Sequence, residues 1–509
     1  MRDLDLLRLE RRVALMLAPL ADQPGAAVGV ARNGALLLRR AAGLASVELH
    51  QPIGPATCFR VASVSKQFTC AVILLLAHEG KLSLADPVRR HLPYLPEVFA
   101  SITLDQLARN CSGVRDMFDL ARLGGADLST PVSEAELDGL IARQASLNFA
   151  PGSRFLYSNT GFRWLGQVIE RVTGETLADY LDRRIFQRLG MTRTHHTPDL
   201  LMPMEGLATG YLADGRRAPH AFPLGGEGGL VSCVEDLALW ARSLSLGMLG
   251  GGVEALLEAP SPFTHGAQNR YALGVEVEEW RGLRTVSHGG LWPGFKTAFI
   301  RVPQKQLTVI VIANSAALDP HHMALQVLEA ALEGDSELQP APPAIEATAM
   351  AGRWVADGLS LDVEPDLTAR MHGMPFTLVP HADGRLHARR GGFPFAVKPP
   401  EGNVMEVEVD AGQVMRFRRV AGAPLPALDG TWRCAELGAD WVIEGDRAQA
   451  NGPLRRGPPW HVEALTPRQL RIHMPSVLFP AWADAVLSED GQRLTVNGGR
   501  ARGLSFERS

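Results

Sequence analysis

Apolar residues recur at helical spacing over residues 63–78. Val64, Phe68, Val72, Leu75 and Leu76 mark one stripe, and enough other apolar residues surround them that the helix is expected to be buried all round. Gly80 is its expected stop. Upstream, two apolar runs within residues 25–43 flank Asn33-Gly34, a pairing that predicts a two-residue β-hairpin. Residues 102–108 read as a helix with Thr103 as N-cap, and residues 161–172 as another, ending at Gly174. Ser232 is expected to cap a helix carrying Asp236, Leu237 and Trp240. Residues 271–279, 284–287, 295–301 and 307–314 read as strands of one antiparallel sheet, the second running into His288-Gly289-Gly290-Leu291. A helix over 323–332 follows.

The pattern changes at Gln339-Pro340-Ala341-Pro342-Pro343, a linker composition. Beyond it, short runs are separated by Gly, Asp and Pro turns. Gly352-Arg353-Trp354 and Gly430-Thr431-Trp432 open two similar stretches, with Ala423-Pro424-Leu425-Pro426 between them. This predicts two tandem all-β modules of roughly 80 residues each, small antiparallel barrels. A chain of 509 residues exceeds one ordinary core. The expected division is 1–337, 345–423 and 427–509.

Composition narrows the function classes. The net charge is −4 and there is no basic patch, so no nucleic acid partner is expected. No apolar run reaches the length of a membrane span, and the amphipathic residues 1–12 lack the apolar core of a secretory signal, so no membrane is expected either. Cys58, Cys70, Cys111, Cys233 and Cys434 are odd in number and scattered, which suits a reducing cytoplasm better than a disulfide framework. His195-His196 and His321-His322 have no carboxylate or cysteine at ligand spacing, so no metal is expected.

Against this background Ser63-Val64-Ser65-Lys66 stands out. Ser63 and Lys66 are three apart at a helix start, hence neighbours on one face, in the Ser-x-x-Lys pattern of an acyl-transfer nucleophile. A half-buried lysine at a helix N-terminus has a lowered pKa and can take the serine proton. Tyr157-Ser158-Asn159 follows about 90 residues on, just before a helix, and His288-Gly289-Gly290 roughly 130 residues after that, at a strand.

These motifs, in this order, resemble the serine β-lactamase and penicillin-binding-protein superfamily, in particular its class C-like branch with a Tyr-x-Asn triplet. Ser112-Gly113, Pro151-Gly152, Leu189-Gly190-Met191 and Gly228-Gly229-Leu230-Val231-Ser232 carry the same resemblance, over residues 20–335. It implies an α/β (α+β) transpeptidase-like domain, a central antiparallel sheet flanked by helices, ahead of the two barrels. It also implies roles: Ser63 as nucleophile, Lys66 and Tyr157 as proton-transfer pair with the base undecided between them, and His288 on the third motif. Asn159 is expected to hold Lys66 and the substrate, and the backbone N–H groups of Ser63 and Leu291, beyond Gly289-Gly290, to form the oxyanion hole. No cofactor is implied.

His288 stands where carboxypeptidases of this superfamily carry a lysine that anchors a substrate carboxylate. A shorter, mostly neutral histidine weakens that role. His-Gly-Gly and a tail of two barrels instead resemble the D-aminopeptidase family, as do Gly124-Gly125-Ala126-Asp127 and residues 501–508. The resemblance implies release of N-terminal D-residues from small peptides, amides or esters, and a homodimer. It also implies a loop of the last barrel whose aspartate receives the substrate ammonium. Here that loop reads Ser476-Val477-Leu478-Phe479-Pro480, with no carboxylate and with Asp484 just beyond. Glu276 and Glu227 are the expected substitutes, since an ammonium buried without a carboxylate is costly. An ester or hydrophobic amide substrate is the alternative the apolar loop suggests, and a binding protein that has lost activity is the third.

Overall fold

Strand residues 309–313 are apolar without interruption because both faces of their sheet are covered. The computed structural model of the protein describes residues 5–197, 202–219, 222–345, 348–388, 395–410, 412–454, 457–478 and 480–509. Within it, in chain order, lie α1 (Leu6–Leu17), β1 (Ala26–Arg32), β2 (Ala35–Ala42), α2 (Ser65–His78), α3 (Met117–Leu123), α4 (Asn159–Thr173), α5 (Val234–Leu246), β3 (Glu276–Trp280), β4 (Leu283–Trp292), β5 (Phe295–Val302), β6 (Leu307–Ala313) and α6 (Pro320–Ala331). The strands form one antiparallel sheet in the order β3-β4-β5-β6-β1-β2. Val309 and Val311 face Leu9 and Val13 of α1 and Val327 and Leu328 of α6. Ile310 and Ile312, one residue out of phase, join the core that holds Phe68 of α2 and Leu237 of α5. Both faces thus pack on helices, as the resemblance implied.

The Asn33-Gly34 hairpin forms, with both turn residues at positive φ. Thr103 caps its helix through a reciprocal capping box with Gln106. Three expectations need correction. The nucleophile segment is not α-helical from its first residue: Ala62–Val64 is a 3-10 turn and α2 begins at Ser65. Ser232 does not cap α5. Cys233 holds the N-cap position, and the Ser232 hydroxyl instead lies 2.8 Å from that of Thr194, which bonds Asp236. Residues 271–279 are not one strand. The chain reverses at Gly274 (φ +73), so Tyr271 bridges back to Glu276, where β3 starts. A Cβ at Gly274 would lie 2.7 Å from the Lys66 carbonyl oxygen, so only glycine fits.

After the linker, eight strands from Gly352–Ala356 to Gln413–Val420 close one barrel, and eight from Gly430–Cys434 to Leu504–Arg508 close another. The two Gly-x-Trp openings do the same work. Trp354 and Trp432 each donate from the indole N–H to the carbonyl four residues earlier, at 2.9 Å, and each is covered by an arginine, Arg419 and Arg508. The barrels also anchor the catalytic part. Leu156 is buried in the first barrel's core, and Leu120 and Leu123 of α3 in the second's.

Candidate active site

Ser63 sits on a bend that the sequence does not favour. Ala62 has φ +47, a left-handed conformation that costs a non-glycine residue energy and aims the next side chain out of the helix start. Ser65 holds the bend by donating to the Ala62 carbonyl at 2.5 Å while accepting from the Leu230 N–H at 3.1 Å. Lys66, one residue into α2, is fully buried. Its Nζ lies 3.0 Å from Ser63 Oγ, 2.9 Å from Asn159 Oδ1 and 2.6 Å from the Glu227 carbonyl oxygen. Burial lowers Lys66 to about 7, against the opposing pull of Glu227 and Asp116.

Tyr157 shares a hydrogen bond with Ser63, and burial raises its phenol well above the usual value. The Lys66 ammonium lies 4.8 Å from its ring centroid. The tyrosine is placed by its neighbours: the Leu156 N–H donates to the Asn110 carbonyl, and the Ser158 N–H to Asn110 Oδ1. Asn159 opens α4, two residues ahead of the expected start, and gives both its N–H (2.7 Å) and its side-chain NH₂ (2.9 Å) to Asp116 Oδ2. Its Oδ1 is therefore left for Lys66.

His288 lies at the site but with both ring nitrogens engaged. Nδ1 is 2.6 Å from the Gly289 carbonyl, which can only accept, so Nδ1 carries the proton and Nε2 accepts from Tyr271 Oη at 2.9 Å. Burial and the Lys66 charge lower it to about 3, so it is neutral. β3 pairs with β4 only as far as Ser287, so residues 288–292 present a strand edge with no described strand beside it. Gly290 brings that edge against the nucleophile bend, since a Cβ there would lie 2.2 Å from the Val61 carbonyl oxygen.

A cavity of about 980 Å³ opens over these groups, walled by the catalytic part and by both barrels. Glu276 lines it, and burial together with Glu278 raises its carboxyl to about 8. Glu227 is 1% exposed. Burial raises it, opposed by the charges of Arg163 and Lys66. Val477, Leu478 and Pro480 of the expected loop line the cavity, whereas Ser476 is not among the lining residues and Phe479 lies outside the described residues. Asp484 is fully buried on a strand of the second barrel, bound to Ser360 of the first.

Two groups at the centre were not anticipated. Asp116 lies three residues beyond the Ser112-Gly113 phrase, between Arg115 and Met117 and with Asp119 close by, which is a weak signal. Arg500 comes from the second barrel, with its Nη2 3.3 Å from Asp116 Oδ1 and its Cζ 6.0 Å from the Tyr157 ring centroid. No local pattern marks it. A possible metal cluster, His381, Asp383 and His387, has its ligand atoms within 4.8 Å of one another on the first barrel, with the histidines on the cavity wall. Asp383 already receives the Arg385 guanidinium at 2.8 and 2.7 Å, which answers its charge without an ion.

An activated serine on a bend, a buried lysine beside it and a tyrosine between the lysine and a strand edge define an acyl-transfer site. Residues 13–332 match the Beta-lactamase family. The chain belongs to that family and is a serine hydrolase, and among its relatives it stands with the D-aminopeptidases. It is 31% identical over 440 residues to a D-aminopeptidase of Brucella canis (82% of this chain, 81% of the relative). To those of Brucella anthropi and Cereibacter sphaeroides it is 29% and 30% identical, over 82% and 86% of this chain and 81% and 85% of theirs. Among solved structures, an octameric penicillin-binding protein homologue from Pyrococcus abyssi matches with a TM-score of 0.56 at 21% identity, over 99% of both chains. A D-stereospecific amidohydrolase from Streptomyces matches with a TM-score of 0.53 at 22% identity, over 66% of this chain and 100% of its own. No described helix is long and apolar enough to cross a membrane, and the five cysteines are free and buried.

Proposed function

We propose that the protein is a D-stereospecific aminopeptidase that releases N-terminal D-residues from small peptides, amides or esters through an acyl-enzyme on Ser63. The observation that carries the mechanism is the surroundings of Lys66 Nζ. Two of its three neighbours are carbonyl oxygens, Asn159 Oδ1 and Glu227 O, which only accept. A neutral amine satisfies both with its two N–H bonds and turns its lone pair to Ser63. Lys66 is then the base: it takes the Ser63 proton as Oγ bonds to the substrate carbonyl carbon. The backbone N–H groups of Ser63 and Leu291 receive the oxyanion. Tyr157, held as a phenol, gives its proton to the leaving amine, and the proton that Lys66 took from Ser63 restores the phenol. Water repeats the sequence in reverse and frees the acid. His288 holds Tyr271 and the strand edge in place.

For the substrate ammonium, Glu276 is the favoured partner. It is half-buried at the cavity wall, and among the described residues no cation forms an ion pair with it. Binding an ammonium would restore its ionised form, as desolvation alone does not. Residues 1–337 thus carry the chemistry, while 345–423 and 427–509 wall the cavity. The scattered free cysteines support a cytoplasmic location. A homodimer, implied by the resemblance, is checked by light scattering.

The apolar wall at Val477, Leu478 and Pro480 favours a second reading, an esterase or β-lactamase-like hydrolase. Rates on D-alanine p-nitroanilide, its L-isomer, p-nitrophenyl butyrate and nitrocefin separate the two, with Ser63→Ala as control. Turnover of the D-anilide far above the L-isomer is the expected result. Fast ester cleavage without D-anilide turnover would overturn the aminopeptidase reading.

A further inference from the structure

Arg500 lies in the loop between the last two strands of the second barrel, Arg493–Asn497 and Leu504–Arg508. The loop is fastened to the catalytic part by its backbone. The Arg500 N–H donates to Asp119 Oδ2 at 2.5 Å, and its carbonyl accepts from the Asp116 N–H at 3.0 Å and from Asn148 Nδ2 at 3.2 Å. Gly498 keeps this approach close, since a Cβ there would lie 3.1 Å from a Leu123 methyl. The guanidinium is thereby held between Asp116 and Asp119 and over Tyr157. Asp116 passes the contact on to Asn159, and Asn159 to Lys66. A chain of charge-assisted bonds therefore runs from the second barrel to the base.

We propose that Arg500 is a positioning residue of the proton-transfer pair: its cation, delivered by the second barrel, supports Tyr157 when the phenol gives up its proton, and reaches Lys66 through Asp116 and Asn159. This inference rests on the acyl-enzyme reading of the site. The groups facing Tyr157 show why a second cation is needed. Lys66 from α2 is cationic only after it has taken the serine proton. Asp116 and Glu276 are acids, and both oppose a phenolate. Tyr271 and His288 are neutral. His288, at the position where the carboxypeptidases place a lysine, cannot supply charge because it is buried and its Nε2 is capped by Tyr271. Arg500 fills that deficit from another part of the chain. Its charge also opposes protonation of Lys66.

Arg500→Met and Arg500→Lys in the full-length protein test this. Two substrates differ in their need for a proton donor: D-alanine p-nitroanilide, an amide, and D-alanine p-nitrophenyl ester, whose leaving group departs as an anion. Arg500→Met is expected to lower kcat on the anilide ~10²-fold, with KM nearly unchanged, and on the ester less than ~10-fold. The acid limb of kcat/KM is expected to move up by about one pH unit, because removing a cation makes Lys66 easier to protonate. Arg500→Lys is expected to recover most of both effects, and it keeps the loop charge should the methionine variant dock poorly. The rate of Ser63 labelling by a fluorophosphonate, followed against pH, shows the same displacement without any D-residue. Failure of the substrate assignment is thus distinguished from failure of this inference. Equal losses on both substrates with an unmoved pH profile would make Arg500 a merely structural contact and overturn the proposal. So would an unaltered rate in Arg500→Met.

Discussion

Burial brings both Lys66 and Glu276 towards neutrality, and in the proposed mechanism each acts in its deprotonated form. Burial lowers Lys66 to about 7 and raises Glu276 to about 8, so each gains its working form as pH rises through these values. kcat/KM for an amino-terminal substrate is therefore expected to climb between pH 6 and pH 8 and to fall again when the substrate ammonium itself deprotonates. Glu276→Gln removes the carboxylate but keeps the shape. It should raise KM for D-alanine p-nitroanilide by ~10–100-fold, the loss of one buried charge-assisted pair, while p-nitrophenyl butyrate, which has no ammonium, is cleaved as before. Steady-state kinetics on the two substrates check this. Equal effects on both would show that Glu276 shapes the site without reading the ammonium, and Glu227→Gln would be the next substitution.

The edge of β4 from His288 to Trp292 is a working surface only because Gly290 lets it lie against the nucleophile bend. Gly290→Ala places a methyl 2.2 Å from the Val61 carbonyl oxygen, a distance no packed atom tolerates, so either strand or bend must shift. A displacement of this size is expected to cost ~10²-fold in kcat/KM. The melting temperature should move little, because β4 remains paired to β5. Circular dichroism melts beside the kinetics separate the two. This also shows which elements were legible in the sequence. Ser63-x-x-Lys66, the Asn33-Gly34 hairpin and the Thr103 cap are local patterns whose physics is complete within a few residues. The reversal at Gly274 was not legible, because Tyr271 to Glu279 alternates well enough to pass as one strand. Only the Lys66 backbone beneath Gly274 forces the turn, and that turn sets Tyr271 and Glu276 side by side at the cavity. Ser232 misled for a similar reason. It is a good capping residue by type, but its hydroxyl is taken by Thr194, which sits on a different segment.

Tyr157 is the point where the three parts of the molecule meet. Leu156 before it is buried in the first barrel, Arg500 of the second lies over its ring, and α2 brings Lys66 beneath it. Nothing near Arg500 in the chain announces this, since its partners Asp116 and Asp119 are more than 380 residues away. The clasp is continued by Arg115 and Glu436 at 2.7 Å and by the Trp441 indole on the Leu123 carbonyl at 2.9 Å. The barrels hold each other through a different group. Asp484 of the second is fully buried and accepts from the Ser360 N–H and hydroxyl of the first, and Arg471 lies on Ser360 and on Asp362. Burial raises Asp484 to about 7 despite Arg471. In the unfolded chain an aspartate ionises near 4, so between about 4 and 7 the unfolded state has lost a proton that the folded state keeps. Stability is then favoured at low pH and falls as pH rises through that window, by up to ~1.4 kcal/mol per pH unit for this group alone. Asp484→Asn keeps the shape and one acceptor for the Ser360 N–H, and it cannot ionise. Compared at pH 4, at the foot of this window, the two proteins should differ little in melting temperature. At pH 8, with the wild type carrying a buried charge, the variant should be the more stable of the two. A difference that stays the same at both pH values would mean that Asp484 remains ionised throughout, paired to Arg471, and that the interface between the barrels does not titrate.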